Sequence, residues 1–267
     1  MVSYGVVYDE GGPDLTDPDG WRLSWDYRTR FQKPLRFRLP NGRCISVKQF
    51  CASGDKNVTD SDPIDSGVTV WDSALVMAYF LCKNPEEIKG KTVIELGSGT
   101  GFLGCISAGL GASCMVLTDL PGVCPQLETA ARSNCRGIDI RVRSLPWGDA
   151  NIARSLCETE FKGGWPDVVL CTDCIYREGA PALLLATFDA LVGPETVALV
   201  AADGHRPEVI ADFHDKLAAQ GRLRLEPVPA TQLHHYVRSD SLVVFRLRRA
   251  ASPPSSRVAA AVGAEEP

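Results

Sequence analysis

From Thr69 to Arg249 the apolar positions follow two spacings, and each predicts a type of element. Trp71, Ala74, Leu75, Ala78 and Leu81 recur at three- and four-residue intervals, which predicts a helix with Thr69 as its N-cap. Short apolar runs at "TVIEL", "CMVLTD", "PDVVLCTD" and "ETVALVAAD" predict buried strands, and "DIRVRSL" a more exposed one. Between them "GFLGCISAGLG", "CPQLETAARSN", "PALLLATFDALVG" and "RPEVIADFHDKLAAQG" read as helices; the last three carry an early proline. "RLRLEPV" and "SLVVFRLRR" close the pattern as strands with no helix between them. The order predicts an α/β fold: a seven-stranded, mostly parallel sheet covered on both faces and ended by an antiparallel pair.

The two ends depart from this pattern. In "LRFRLPNGRCISVKQF" alternating segments flank Asn41-Gly42, the strongest short hairpin signal. Residues 1–66 therefore read as an N-terminal extension with a β-hairpin, 67–249 as the α/β domain, and 250–267 as a tail too poor in bulky apolar groups to order. The extension holds five acids between Tyr8 and Gly20, then seven basic residues and one acid between Trp21 and Arg43. Such a switch suits a solvated surface. Net charge of −5 gives no bulk electrostatic reason for a nucleic-acid partner. No apolar run approaches ~18 residues and no charged-then-apolar leader opens the chain, so a soluble, cytoplasmic protein without membrane contact is expected. The ten cysteines are scattered through apolar patterns, as small core residues in a reducing compartment would be.

The candidate chemistry begins at "KTVIELGSGTGFLG", where a strand, a glycine turn and a helix follow one another. That order brings backbone N–H groups and a positive helix end to the carboxyl edge of a sheet, a cradle for a nucleotide-like ligand. Asp119, ending the next strand 20 residues after Gly99, suits a ribose diol. These features fit a dinucleotide and S-adenosylmethionine equally. Three others favour the second: Glu95 before the first glycine, where an amino-acid ammonium would lie; Trp147 in "PWG", placed to stack on adenine or to be buried; and the D-x-x-Y of Asp173 and Tyr176 at the end of a buried strand. Cys171 and Cys174 form a lone C-x-x-C with no second pair or nearby histidine, so no metal is expected.

Together "GVTVWDSAL", "GKTVIELGSGTGFLG", "VLTDLP", "LPWG" and "DVVLCTDCIY" resemble the seven-β-strand protein-lysine methyltransferases, the methyltransferase-like protein 21 group of family 16. The resemblance spans about Leu35 to Arg249 and implies a Rossmann-like, class I S-adenosylmethionine-dependent methyltransferase. It implies that Gly97, Ser98, Gly99 and Gly101 form the cofactor turn, Asp119 takes the ribose, and Trp147 flanks adenine. Thr172 would contact the cofactor through its backbone, and Trp71, read alone as plain core or as a cover, would lie over it. Asp173 and Tyr176 would hold the incoming lysine. "HYVRSDSLVVFRLRR" is most similar to the group member that modifies valosin-containing protein. The resemblance thus implies a protein substrate, with that hexamer or another chaperone-like ATPase as the candidate, and a monomeric enzyme. Alternatives are a methyltransferase for another residue or a small molecule, a non-catalytic cofactor-binding relative, and a dinucleotide oxidoreductase.

Overall fold

The computed structural model describes residues 4–7, 21–22, 34–49, 67, 69–237 and 239–250. The expected disordered tail, apart from Ala250, the acidic segment before Gly20 and most of the polar loop before Gly67 lie outside the described residues. Three short strands come first, β1 (Gly5–Val6), β2 (Leu35–Arg38) and β3 (Cys44–Val47). They form a small antiparallel sheet in the order β1-β2-β3. Gly42 turns the β2–β3 hairpin at φ +84°, which a side chain would oppose, and its N–H donates to the Leu39 carbonyl at 2.9 Å.

The main domain begins with α1 (Asp72–Lys83), then β4 (Thr92–Leu96), α2 (Phe102–Gly109), β5 (Cys114–Asp119), α3 (Cys124–Asn134) and β6 (Ile140–Ser144). It continues with α4 (Ala150–Glu160), β7 (Val168–Thr172), α5 (Ala180–Leu191), β8 (Val197–Asp203), α6 (Pro207–Gln220), β9 (Leu223–Pro227) and β10 (Leu242–Arg249). The seven strands lie in the order β6-β5-β4-β7-β8-β10-β9. All neighbouring pairs are parallel except those of β10, which runs antiparallel to both β8 and β9.

The period of two along each strand divides the interior. Val93, Met115, Leu117, Val168 and Leu170 face a core shared with α1, α2 and α3; Ile94, Val116, Val169 and Cys171 face one shared with α4, α5 and α6. Phe37, Leu39, Ile45 and Val47 of the hairpin belong to the first core. Two hydrogen bonds with Asn134, one from Ser46 N–H to its Oδ1 and one from its Nδ2 to the Ser46 carbonyl, moor the hairpin to α3.

Two expectations are corrected. Thr69 does not cap α1: its hydroxyl donates to Gln49 Oε1 at 2.8 Å, and the N-cap position is Trp71, which offers no side-chain acceptor. The acceptor comes from across the sheet edge, where Asp173 Oδ2 takes the Ser73 N–H at 3.1 Å. The sequence pattern also contained no helix between β6 and β7, yet α4 is there, capped by Asp149, whose Oδ1 accepts from Asn151 N and Ile152 N. Its buried stripe is only Ala153, Leu156 and Cys157, too thin to stand out among its polar neighbours.

Candidate active site

Chain order runs outward from β4 through β5 to β6, then returns to β7 on the other side of β4. Such a reversal leaves a crevice at the carboxyl ends of the central strands, where ligands of open α/β sheets bind. A cavity of about 640 Å³ lies there. Its lining includes Trp71, Glu95, Gly97, Ser98, Gly99, Asp119, Trp147, Thr172, Asp173 and Tyr176, so the structure brings these sequence-selected residues to one place. Gly101 stands off the cavity. It holds the left-handed N-cap of α2, and a Cβ there would press on Leu127 of α3 at 3.2 Å.

Backbone conformation explains the glycines at the cradle. Gly97 and Gly99 have φ of +63° and +52°, and a Cβ on Gly97 would lie 2.9 Å from both Cys174 Sγ and the Trp147 ring. The turn is held by Ser98, whose N–H donates to the Thr118 carbonyl at 3.0 Å, and by Asp119, whose Oδ2 accepts from Gly99 N at 2.8 Å. Asp119 Oδ1 accepts from Leu120 N at 2.7 Å, and burial still pushes its carboxyl upward. Each oxygen of this cavity-lining carboxylate has capacity for a further hydrogen bond, as from a hydroxyl.

Glu95 is the most telling side chain. It is 2% exposed, its Oε2 has no hydrogen-bond partner, and burial pushes its carboxyl up to about 8. An orphaned buried acceptor is costly unless a ligand donor completes it. With a Cβ-free turn, a paired diol acceptor at Asp119 and this cation acceptor, the residues fit an α-amino acid nucleoside such as S-adenosylmethionine. Opposite, Trp147 and Tyr176 meet edge to face at 6.4 Å between centroids, an apolar wall that Leu183 extends outward.

Asp173 is tightly held. It sits at φ +52°, the one non-glycine residue with positive φ among the described residues, a conformation aspartate tolerates better than most. Its Oδ1 accepts from Ser73 Oγ at 2.6 Å and from Asp203 N at 3.3 Å, and burial pushes it up to about 6.

Sequence reasoning missed Arg22, Ser73, Arg177 and Leu183, all but Ser73 lining the cavity, and Ser73 bonded to Asp173. Arg22 Nη1 bridges Asp72 and Asp203, each at 3.0 Å, while Nη2 donates to Ser239 and Ser241. No local signal marks Arg22, because its partners come from three distant parts of the chain. Ser73, inside the quoted "WDSAL", had a signal: a small polar residue on an otherwise apolar helix.

The described family model for lysine methyltransferases matches residues 56–220. The chain belongs to the lysine methyltransferase family. Within it, the chain is 33% identical over 165 residues to EEF1A lysine methyltransferase 3 of Mus musculus, covering 60% of this chain and 67% of that one. It is 35% identical over 134 residues to the protein N-lysine methyltransferase METTL21A of Danio rerio, covering 49% and 58%. It is likewise 35% identical over 142 residues to the protein-lysine methyltransferase METTL21E of Mus musculus, covering 50% and 54%. The chain thus spans about half to two thirds of the length of these curated relatives. No helix among the described residues of this lysine methyltransferase family member is long and apolar enough to cross a membrane.

Proposed function

We propose that this chain transfers the methyl group of S-adenosylmethionine to the side-chain amine of a lysine in a protein substrate. The observation that carries the reading is Glu95, a buried carboxyl lining the cavity at the sheet's switch point whose Oε2 has no hydrogen-bond partner, an acceptor suited to an ammonium. Gly97, Ser98 and Gly99 would hold the methionine half, Asp119 the ribose, Trp147 the adenine, and Thr172 and Trp71 the remaining faces. When bound, the cofactor supplies an electrophilic methyl and a sulfonium charge.

The chain's own task is to deliver a neutral amine in line with that methyl. A free lysine with a pKa near 10.4 is deprotonated only about one part in a thousand near neutral pH, a deficit of roughly 4 kcal/mol. A carboxylate alone makes this worse, since it stabilises the ammonium. Asp173 is accordingly assigned to aiming the amine, and the apolar wall of Trp147 and Tyr176 to stripping water from it, which favours the uncharged form. Tyr176 serves this wall first and as a hydrogen-bond partner second.

The substrate candidate is valosin-containing protein or another chaperone-like ATPase, supported by "HYVRSDSLVVFRLRR". The name of the mouse relative makes EEF1A the second candidate. We assign the enzyme to the cytoplasm as a monomer. Tritiated methyl transfer into a cell extract, followed by mass spectrometry, tests the whole reading. Label on lysine of a protein is expected, and label confined to small molecules would overturn it. Labelled lysines absent from any chaperone-like ATPase would remove the finer assignment alone.

A further inference from the structure

Most charged groups lining the cavity have partners, though carboxylates outnumber cations there. Asp72 and Asp203 share the Arg22 guanidinium. Asp119 and Asp173 accept backbone and hydroxyl hydrogen bonds. Arg177 lines the same cavity, and among the described residues no carboxylate or other acceptor meets its guanidinium; its Nε is buried without a partner.

A guanidinium in that place needs a reason. The proposed reaction brings two cations, a sulfonium and an incoming lysine, into the cavity; the lining carboxylates attract them, while the guanidinium of Arg177, with no carboxylate of its own among the described residues, repels both. A buried N–H left without an acceptor adds a desolvation cost. Both are relieved by one chemistry, a carboxylate, whose two oxygens match the planar fork of arginine. Two carboxylates could reach the cavity, that of the cofactor's own amino-acid half and that of a substrate residue.

Position in the chain favours the substrate. Arg177 lies in the connection 173–179 between β7 and α5, whose Asp173 and Tyr176 the proposed function gives to the incoming lysine. The cofactor's amino-acid half is given instead to Glu95 and the β4–α2 turn. Tyr176, the neighbour of Arg177, packs on Trp147 and so fixes the backbone from which Arg177 projects. We propose that Arg177 is a specificity-determining residue that receives an aspartate or glutamate flanking the target lysine. The inference rests on the lysine-transfer reading and gives it a substrate class: lysines in acidic surroundings.

Binding separates the inference from that reading. Fluorescein-labelled peptides carrying one lysine flanked by glutamates, by glutamines or by arginines are titrated against the full chain loaded with S-adenosylhomocysteine. The glutamate peptide is expected to bind about tenfold tighter than the glutamine peptide, a difference lost in Arg177→Ala. Arg177→Glu should reverse the order in favour of the arginine peptide, an outcome that misfolding cannot produce. Equal binding of all three peptides to the wild type would overturn the inference. So would a glutamate preference that survives Arg177→Ala, or a loss of S-adenosylhomocysteine affinity in Arg177→Ala, by calorimetry, with no change in peptide preference. That last result would assign the guanidinium to the cofactor's carboxylate. Charge preference without methyl transfer would sink the transfer reading and leave Arg177 in place; transfer without charge preference would do the opposite.

Discussion

Glu95 carries a pH signature in an accessible range. Its carboxyl stands near 8 when folded against an ordinary 4.5. Folding of the ligand-free chain therefore takes up a proton between those values, and stability falls as pH rises through that window. In the proposed function cofactor binding runs the other way, because an ammonium held by Glu95 needs the carboxylate, so affinity should rise with pH and level off above about 8. Calorimetric titration of S-adenosylhomocysteine from acid to alkaline pH reads this directly. Glu95→Gln should weaken binding by about tenfold or more and flatten the profile, while melting no earlier than wild type at alkaline pH. Asp173 offers a second residue-scale prediction. Asp173→Asn keeps a side chain that tolerates positive φ, so it should fold and bind the cofactor yet lose at least about a hundredfold in kcat. Near-wild-type turnover in a radiolabel assay would remove Asp173 from the site. Glu95, Asp119, Trp147 and Asp173 were legible in the sequence because each lies at or just beyond a strand's end, and parallel strands bring those ends together. Arg22, Arg177 and Leu183 were not, since only the finished packing decides whether an exposed-looking residue reaches the cavity.

Elements were legible where local chemistry and burial agree. Asn41-Gly42 announced the β2–β3 hairpin, and Gly221, in a left-handed C-cap, closes α6 where the pattern ended it. Two failures have one physical root, a partner remote in sequence. The N-terminus of α1 is completed by Asp173, 100 residues away, so the nearer Thr69 was free to serve Gln49. Ser73→Ala deletes one of the Asp173 contacts and should cost about 1 kcal/mol in urea unfolding. For α4 the cap signal at Asp149 was present, but the apolar stripe was too narrow to be noticed beside it. Asp149→Ala should destabilise the chain by about 1 kcal/mol by the same measurement, with cofactor affinity unchanged. Equal stability there would mean that α4 is held by packing alone.

Across the whole molecule, the sheet separates two cores, and polar links tie the N-terminal residues to the cavity. Arg22 reaches far along the chain, joining the residues before the hairpin to α1, to the end of β8 and to the β9–β10 connection. Arg22→Ala removes the guanidinium that Asp72 and Asp203 share, and Asp72 is only 6% exposed. The expected result is a melting temperature lower by about 4 °C and faster hydrogen exchange around Ser239–Leu242. Unchanged exchange there would show that the link is dispensable.

The hairpin's place in the first core has a consequence for synthesis. Phe37, Leu39, Ile45 and Val47 leave the ribosome well before Phe102, Leu103 and Leu127, the residues that share their core. At ~5–20 residues per second the hairpin waits on the order of ten seconds with its apolar face uncovered. A nascent chain halted before α2 therefore presents a sticky ribbon and no binding pocket, and it is at this stage that a cell's folding helpers have most to protect.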